Sequence, residues 1–315
     1  MALMAVMAVG LIACGTDKSD NESTKEEKTS VTITSLDASK NEIELEVPYN
    51  PKRIAILDLA SLDIIDELGV GDRVVGMAST SIDYLEKYSN DASIKNLGTI
   101  KEADLEAVME CEPDIIFIGG RLSKSYDALS EIAPVVYLAT DTNEGLVNSV
   151  SKNAKTIASI FGMEDKVDSL MSDFGARIDT IKKISSGKTA LVGMTTSGSF
   201  NLLGNDGRCS LIGVEAGFNN LTAAGSTSTH GNESSFETVV QQNPDYIFVM
   251  DRDSAISTAG AKTAKEIVEN ELVKTTDAYK NNHIIYLEHS NVWYTAEGGI
   301  QALDIMLTDL EKGLK

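Results

Sequence analysis

The sequence predicts an α/β fold of two lobes, each with a parallel sheet flanked by helices, joined by one long interlobe α-helix. Three observations predict it. Short apolar β runs alternate with helical patterns, a helical pattern runs from 146 to 184, and a motif of the first half returns in the second. Alternating strands and helices favour parallel sheets covered by helices. The 315 residues are enough for two ordinary domains.

The first ordered element is predicted to be a hairpin. Apolar and polar residues alternate over 31–34 and 43–47 around the turn-rich segment 37–41. A short β run over 53–58 and a helical pattern over 59–68 follow. Further strands are predicted at 74–77, 115–119 and 135–138.

The long helical pattern divides the chain. It is interrupted at Gly162, and its second part, 164–186, is predicted to be a single helix about 30 Å long. A new strand is predicted at 189–194. The resulting domains are an N-terminal lobe (31–163), the interlobe helix (164–186) and a C-terminal lobe (187–315).

An internal repeat supports this division. Segment 105–118 resembles segment 236–249, and in each a Glu begins a short helix, a Pro-Asp pair breaks it and a buried strand follows. An Arg lies fifteen residues after each Glu. The matching residues are Glu106 and Glu237, Asp114 and Asp245, and Arg121 and Arg252.

Composition excludes several classes of function. There are 27 Lys and Arg against 48 Asp and Glu, a net charge of −21, and this argues against binding nucleic acid, which requires a basic surface. The three His leave little room for a His-rich zinc site. The nucleophile elbow, P-loop and His-Glu-x-x-His motifs are missing, so an enzyme is not expected. Cys111 and Cys209 are too few for a disulfide framework.

Three arginines are candidates for ligand binding. Arg121 and Arg252 follow predicted strands, and Arg208 follows a strand–turn element. Because ligands of open α/β sheets bind beyond the carboxyl ends of the strands, these side chains could meet across the interlobe cleft. Arginine binds delocalised oxyanions through forked hydrogen bonds. Position alone favours equally the alternative of surface ion pairs with Asp127, Asp206 or Asp251.

His230 and Tyr294 lie in predicted loops and could bind a ferric ion. A phenolate oxygen and an imidazole nitrogen are both suitable ligands. A solvated loop histidine is the alternative for His230, and ordinary core packing is expected of the neighbouring Trp293.

The N-terminus resembles that of a bacterial lipoprotein. Residues 1–13 are wholly apolar or Gly, as in a signal peptide, although no basic residue precedes Cys14. The segment 11–14 resembles a lipobox, in which the chain is cut before the Cys and the thiol is lipidated. Residues 15–30 contain no aliphatic or aromatic side chain and are predicted to be a flexible tether. We therefore expect a lipid anchor at Cys14, on the extracytoplasmic face of the cell membrane.

These features together resemble the helical-backbone (class III) substrate-binding proteins of ATP-binding cassette (ABC) importers, which have a periplasmic-binding-protein-like fold. The lipobox, the hairpin leading into 51–58, the paired Glu and Pro-Asp motifs and the interlobe helix carry the resemblance. Segments 119–126, 229–231 and 292–294 resemble the branch that binds ferric catecholate siderophores of the petrobactin and enterobactin type.

The resemblance implies roles for seven residues. Arg121, Arg208 and Arg252 would clamp the catecholate oxygens. His230 and Tyr294 would complete the coordination of iron. Glu106 and Glu237 would dock onto the permease.

The resemblance also implies a monomer that carries an Fe(III)-catecholate siderophore to an ABC permease and has no intrinsic cofactor. Two alternatives stay open. One is a haem- or cobalamin-binding protein of the same fold, and the other is a surface lipoprotein without a role in transport.

Overall fold

The computed structural model describes residues 28–224 and 226–315. The predicted signal segment, Cys14 and most of the predicted tether lie outside the described residues. Within the described ranges, no helix is both long enough and apolar enough to cross a membrane.

The strands form two five-stranded sheets and two small two-stranded sheets. Numbered in chain order, they are β1 (Ser30–Leu36), β2 (Glu42–Pro48), β3 (Ile54–Leu57), β4 (Val74–Met77), β5 (Lys95–Asn96), β6 (Gly98–Thr99), β7 (Glu102–Ala103), β8 (Ile115–Ile118), β9 (Val135–Tyr137), β10 (Thr189–Thr196), β11 (Ser199–Leu202), β12 (Asn219–Asn220), β13 (Tyr246–Asp251) and β14 (Ile284–Tyr286).

The α-helices surround these sheets. They are α1 (Leu59–Glu67), α2 (Glu86–Ser89), α3 (Leu105–Glu110), α4 (Tyr126–Ser130), α5 (Leu146–Phe161), α6 (Glu164–Leu170), α7 (Phe174–Ser185), α8 (Ser210–Gly213), α9 (Phe236–Gln242), α10 (Arg252–Ala255), α11 (Ala264–Val268), α12 (Asp277–Lys280), α13 (Ser290–Thr295) and α14 (Ile300–Gly313). Short 3₁₀ helices cover Gly71–Arg73, Asp83–Leu85, Gly120–Ser125 and Val273–Thr275.

Each lobe is built on one of the larger sheets. The N-terminal sheet has the order β5-β4-β3-β8-β9, and its pairings are parallel. The C-terminal sheet has the order β11-β10-β13-β14, with β12 also paired to β10. Its pairings are parallel except for the antiparallel pair β10–β11. The predicted α/β class is confirmed, and so is the predicted hairpin, formed by β1 and β2.

The internal repeat has a structural basis in its two aspartates. Oδ2 of Asp114 accepts hydrogen bonds from the backbone N–H groups of Lys52 (2.7 Å) and Arg53 (2.9 Å). Oδ2 of Asp245 accepts them from the backbone N–H (2.8 Å) and the hydroxyl (2.9 Å) of Thr189. Each aspartate therefore fastens the start of its own strand, β8 or β13, to the start of the neighbouring strand, β3 or β10.

The predicted continuous helix over 164–186 is corrected by the structure, which divides it into α6 and α7. At the break, the backbone N–H and the hydroxyl of Ser172 both donate to the carbonyl of Ser169, at 3.4 and 2.9 Å. Serine side chains compete with helical hydrogen bonds in this way. The buried Val167 and Phe174 keep their helical spacing across the break, so the apolar pattern could not reveal it.

Helix α5 contacts both lobes. Near its start, the backbone N–H of Val147 donates to Oε1 of Glu215, in the C-terminal lobe, at 3.1 Å. Near its end, the carbonyl of Ile160 accepts from the backbone N–H of Asn50, after β2, at 2.8 Å. Its 16 residues extend over about 24 Å. The residue limits of the two lobes stay a prediction.

One hydrophobic core runs through both lobes. It includes Ile54 of β3, Val192 of β10 and buried side chains of α1, α5 and α14. Each lobe has a second, smaller core of its own, which includes Ile116 in the N-terminal lobe and Ile247 in the C-terminal lobe. A core shared in this way resists large movements of one lobe against the other.

Asp63 of α1 adds a polar tie to the shared core. Its buried carboxylate accepts hydrogen bonds from the backbone N–H groups of Ile300 (2.7 Å), Gln301 (3.0 Å) and Ala302 (2.9 Å) in the first turn of α14. The hydroxyl of Tyr84 donates to the same carboxylate at 2.6 Å. Burial raises the pKa of Asp63 to about 6, although these hydrogen bonds oppose the rise.

Candidate ligand-binding cleft

The three candidate arginines follow strands, as the sequence predicts. Arg121 lies in the 3₁₀ helix after β8, and Arg252 is the first residue of α10, directly after β13. Oδ1 of Asp251 caps α10 by accepting a hydrogen bond from the backbone N–H of Ser254 at 3.0 Å. Arg208 lies between β11 and α8. The loops at the strand ends thus bring residues of both lobes to one place.

All three arginines converge on Tyr294 of α13. The guanidinium carbons of Arg121, Arg208 and Arg252 lie 5.1, 4.5 and 5.7 Å from the centre of its ring. Nη2 of Arg121 and Nε of Arg208 each donate to the backbone carbonyl of Tyr294 at 3.3 Å. Nε of Arg252 donates to the Tyr294 hydroxyl at 3.2 Å. The structure therefore brings four of the predicted site residues together.

The three arginines do not form the surface ion pairs with Asp127, Asp206 or Asp251 that were the alternative to ligand binding. Arg252 lies 3.2 Å from Oδ1 of its neighbour Asp253. Among the residues that the structure describes, no carboxylate forms an ion pair with Arg121 or Arg208. Nη1 of Arg121 is buried and has no hydrogen-bond partner in the described chain. Burial and the nearby charge of Arg208 lower the pKa of Arg121.

The arginines change the acidity of Tyr294. Burial alone would raise the pKa of its hydroxyl. The hydrogen bond from Arg252, together with the positive charges of Arg208, Arg252 and Arg121, outweighs burial and lowers that pKa. A phenol that ionises more readily is a better ligand for a hard metal ion such as Fe³⁺.

His230 lies on an exposed loop beside this cluster. The carbonyl of the preceding residue, Thr229, accepts a hydrogen bond from Nη1 of Arg208 at 2.9 Å, and the His230 carbonyl accepts one from Nδ2 of Asn201 at 2.8 Å. Partial burial and the charges of nearby cations, Arg252 first among them, lower the pKa of the imidazole. A neutral imidazole keeps a nitrogen lone pair free to bind a metal.

A cleft of about 360 Å³ opens beside Tyr294. The end of β3 and the residues that directly follow β3, β8 and β9 line it, together with residues of α1, α5 and the segment 294–298. Arg121 and Arg208 are part of the lining, whereas Arg252 and His230 are not. The volume is within the range of small-molecule sites.

The lining also contains carboxyl groups that the sequence analysis missed. Asp58 follows β3 directly, and its Oδ2 caps α1 by accepting hydrogen bonds from the backbone N–H (2.9 Å) and hydroxyl (2.8 Å) of Ser61. The rule that ligands bind beyond the carboxyl ends of the strands (the strand-end rule), which selected the arginines, could also have found Asp58. Glu297 lies in the irregular segment before α14, where no such rule applies.

Burial raises the pKa of Glu297 to about 7. The charges of Arg208 and Arg121 oppose this rise, and that of Glu215 adds to it. The carboxyl of Glu297 therefore ionises less readily than that of an exposed glutamate.

Glu106 and Glu237 occupy matching positions outside the cleft. Each is the second residue of a short helix, α3 or α9, and each is exposed. Asp104 and Ser235 cap the two helices through their side chains. A carboxylate in a first helical turn is favoured by the helix dipole, so a purely local role is also consistent with these positions.

The two cysteines of the described chain have no features of nucleophiles. Both are free and buried. Burial raises the pKa of the Cys111 thiol, and it raises that of Cys209 well above the ordinary value. Thiolate chemistry requires the opposite shift.

Comparison with known proteins identifies the family of the chain. Residues 54–290 match the family model described as periplasmic binding protein, and the chain belongs to this family. Its members are binding proteins, which agrees with the prediction that the chain is not an enzyme.

Particular relatives include a siderophore binder that matches nearly the whole chain. The petrobactin-binding protein YclQ of Bacillus subtilis is 36% identical over 320 residues, covering 98% of this chain and 96% of the relative. Its crystal structure matches with a TM-score of 0.83 over 91% of this chain and 99% of that one. The structure of the catecholate-siderophore binding protein VctP from Vibrio cholerae matches with a TM-score of 0.80 at 30% identity, over 90% of this chain and all of that one. The ferric-anguibactin-binding protein FatB of Vibrio anguillarum is 26% identical, covering 85% of this chain and 84% of the relative.

Proposed function

We propose that this protein captures a ferric catecholate siderophore in the interlobe cleft and delivers it to an ABC permease for iron uptake. The observation that carries the proposal is the convergence of Arg121, Arg208 and Arg252 on Tyr294. The printed names of the relatives support the ligand class, since they bind petrobactin, ferric anguibactin and a catecholate siderophore.

Charge complementarity is the main physical argument. The protein has a net charge of −21, yet it gathers three guanidinium groups around Tyr294. Among the described residues, two of these groups, on Arg121 and Arg208, form no ion pair with a carboxylate. Ferric catecholate complexes are anionic, and their oxygens match the forked hydrogen bonds of arginine. In a partly buried cleft such charge pairs contribute strongly to both affinity and selectivity.

The iron is cargo, and two side chains are suited to reach it. A siderophore with only two catecholates leaves two positions on Fe³⁺ free. The hydroxyl of Tyr294, with its lowered pKa, and the imidazole of His230 would fill them. A siderophore that supplies all six ligands would not need them.

Delivery would use Glu106 and Glu237. Their matching positions in the two lobes give a pair of exposed carboxylates suited to two basic sites on a permease. A lipid on Cys14 would keep the protein near the permease on the extracytoplasmic face of the membrane. We propose that it acts as a monomer, because one chain carries both docking residues.

The ligand class is tested by titrating the fluorescence of the lone Trp293, which is fully buried next to Tyr294. The titrants are a ferric bis-catecholate, a ferric hydroxamate and haem. We expect saturable quenching by the catecholate alone. Preferential binding of haem or hydroxamate would leave the assignment of the fold standing and would contradict the proposed ligand class. No response to any of them would favour a surface lipoprotein without a transport role.

A further inference from the structure

Glu297 differs from the other acidic residues in the lining of the cleft. Asp58 caps α1, and Oδ2 of Asp206 accepts a hydrogen bond from the backbone N–H of Thr227 at 2.8 Å. Each of these carboxylates therefore has a structural role. No described residue donates a hydrogen bond to the carboxyl of Glu297, although this side chain is partly buried and lines the cleft.

The position of Glu297 is fixed by its neighbour. Gly298 lies against Ala60 of α1 and Thr140, so that a Cβ atom at this glycine would approach each to 3.1 Å. The segment that carries Glu297 is thus wedged between elements of the N-terminal lobe. Its carboxyl shares the cleft lining with Arg121 and Arg208 without forming an ion pair with either.

The Glu297 carboxyl faces the cleft without a described protein donor, and its negative charge weakens the positive potential that would attract an anionic ligand. When a ligand fills the cleft and displaces water from this carboxyl, leaving it unpartnered would cost free energy. Both effects disappear if the ligand itself supplies a donor with a positive charge.

We propose that Glu297 is a specificity-determining residue that binds a protonated amine in the backbone of the siderophore, while the arginines hold its catecholate groups. The proposal rests on the proposed function and narrows the ligand class. Selectivity would come from the match between adjacent positive and negative groups of the cleft and the opposite charges of the ligand.

The experiment compares two ferric complexes that differ at one position. In both, two dihydroxybenzoyl groups are joined by a heptanediamine chain, and in one the central methylene is replaced by a secondary amine, which is protonated at neutral pH. Affinities are measured for the wild type, Glu297→Gln and Glu215→Gln. Glu215 is the matched control, because it lies near Glu297 but does not line the cleft.

The wild type and Glu215→Gln should bind the amine complex roughly tenfold or more tightly than the methylene complex, as expected for a charge-assisted hydrogen bond. Glu297→Gln should lose this preference. Equal affinity of the wild type for both complexes would overturn the role of Glu297 and leave the proposed function standing. Failure of the wild type to bind either complex would overturn both. The wild-type comparison does not depend on whether the variants fold.

Discussion

The hydrogen bonds between Asp63 and α14 allow a quantitative prediction of how much this contact contributes to the free energy of unfolding. We consider Asp63→Ala, which removes the carboxylate that accepts from Ile300, Gln301, Ala302 and Tyr84. Because α1 belongs to the N-terminal lobe and α14 follows the C-terminal sheet, the change cuts a contact between distant parts of the chain.

The magnitude follows from the groups left without a partner. Ile300 and Ala302 are 3% and 0% exposed, so water cannot readily replace the carboxylate at their N–H groups. With the part-buried hydroxyl of Tyr84, three donors lose their acceptor, at roughly 1–2 kcal/mol each. We therefore expect the free energy of unfolding to fall by about 3–5 kcal/mol, a typical range for breaking a buried charged contact.

Urea denaturation followed by circular dichroism measures this change, and hydrogen exchange at the first turn of α14 locates it. Asp66→Ala is the matched control on the same helix. The partners of Asp66, namely Lys87 and Tyr88, lie in the same lobe, and its loss should cost about 1 kcal/mol without faster exchange in α14. Equal effects of the two substitutions would refute the reasoning.

Three further predictions concern iron, the permease and pH. His230→Ala combined with Tyr294→Phe should weaken binding of a ferric bis-catecholate more than binding of a hexadentate siderophore, since only the bis-catecholate leaves positions on iron open. A binding titration measures both affinities. Equal losses of affinity for the two ligands would contradict coordination of iron by these side chains. Charge reversal at Glu106 and Glu237 should abolish cellular iron uptake while ligand binding is retained, because the contact with the permease becomes repulsive. Normal iron uptake by this variant would contradict the docking role. Because burial raises the pKa of Asp63 from 3.8 to about 6, the native state holds the Asp63 proton more tightly than the unfolded state does. The part of the stability that comes from this proton is fully present below pH 3.8 and is lost as pH rises through 6, whereas the hydrogen bonds to the carboxylate remain. Urea titrations across this pH range should show that the free energy of unfolding falls with rising pH in the wild type and not in Asp63→Asn. The same pH dependence in both proteins would contradict the titration of Asp63.

Much of the fold could be predicted because its signals are local. The hairpin and the buried strands follow from apolar alternation and from short apolar runs, and 74–77 coincides with β4. The break between α6 and α7 could not be predicted in the same way. It depends on a serine turn at Ser172, while the apolar side chains on either side keep the spacing of a continuous helix.

The candidate site was predictable where residues follow strands. The strand-end rule selects Arg121 and Arg252, and the structure brings them together although 131 residues separate them in the chain. Asp63 and Glu297 were missed for physical reasons. Asp63 lies between apolar residues of α1 and acts through a helix more than 230 residues away, and Glu297 lies in a segment with no periodic pattern.

The central claim is that the arginines around Tyr294 bind the ferric catecholate. The most direct test is a Trp293 fluorescence titration of Arg121→Ala/Arg252→Ala with a ferric bis-catecholate. Lys124→Ala is the control, because this exposed cation lies in the same 3₁₀ helix as Arg121 without lining the cleft. The account predicts a loss of affinity of roughly a hundredfold or more in the double variant, with thermal unfolding close to wild type and an unaffected control. Wild-type affinity in the double variant would contradict it.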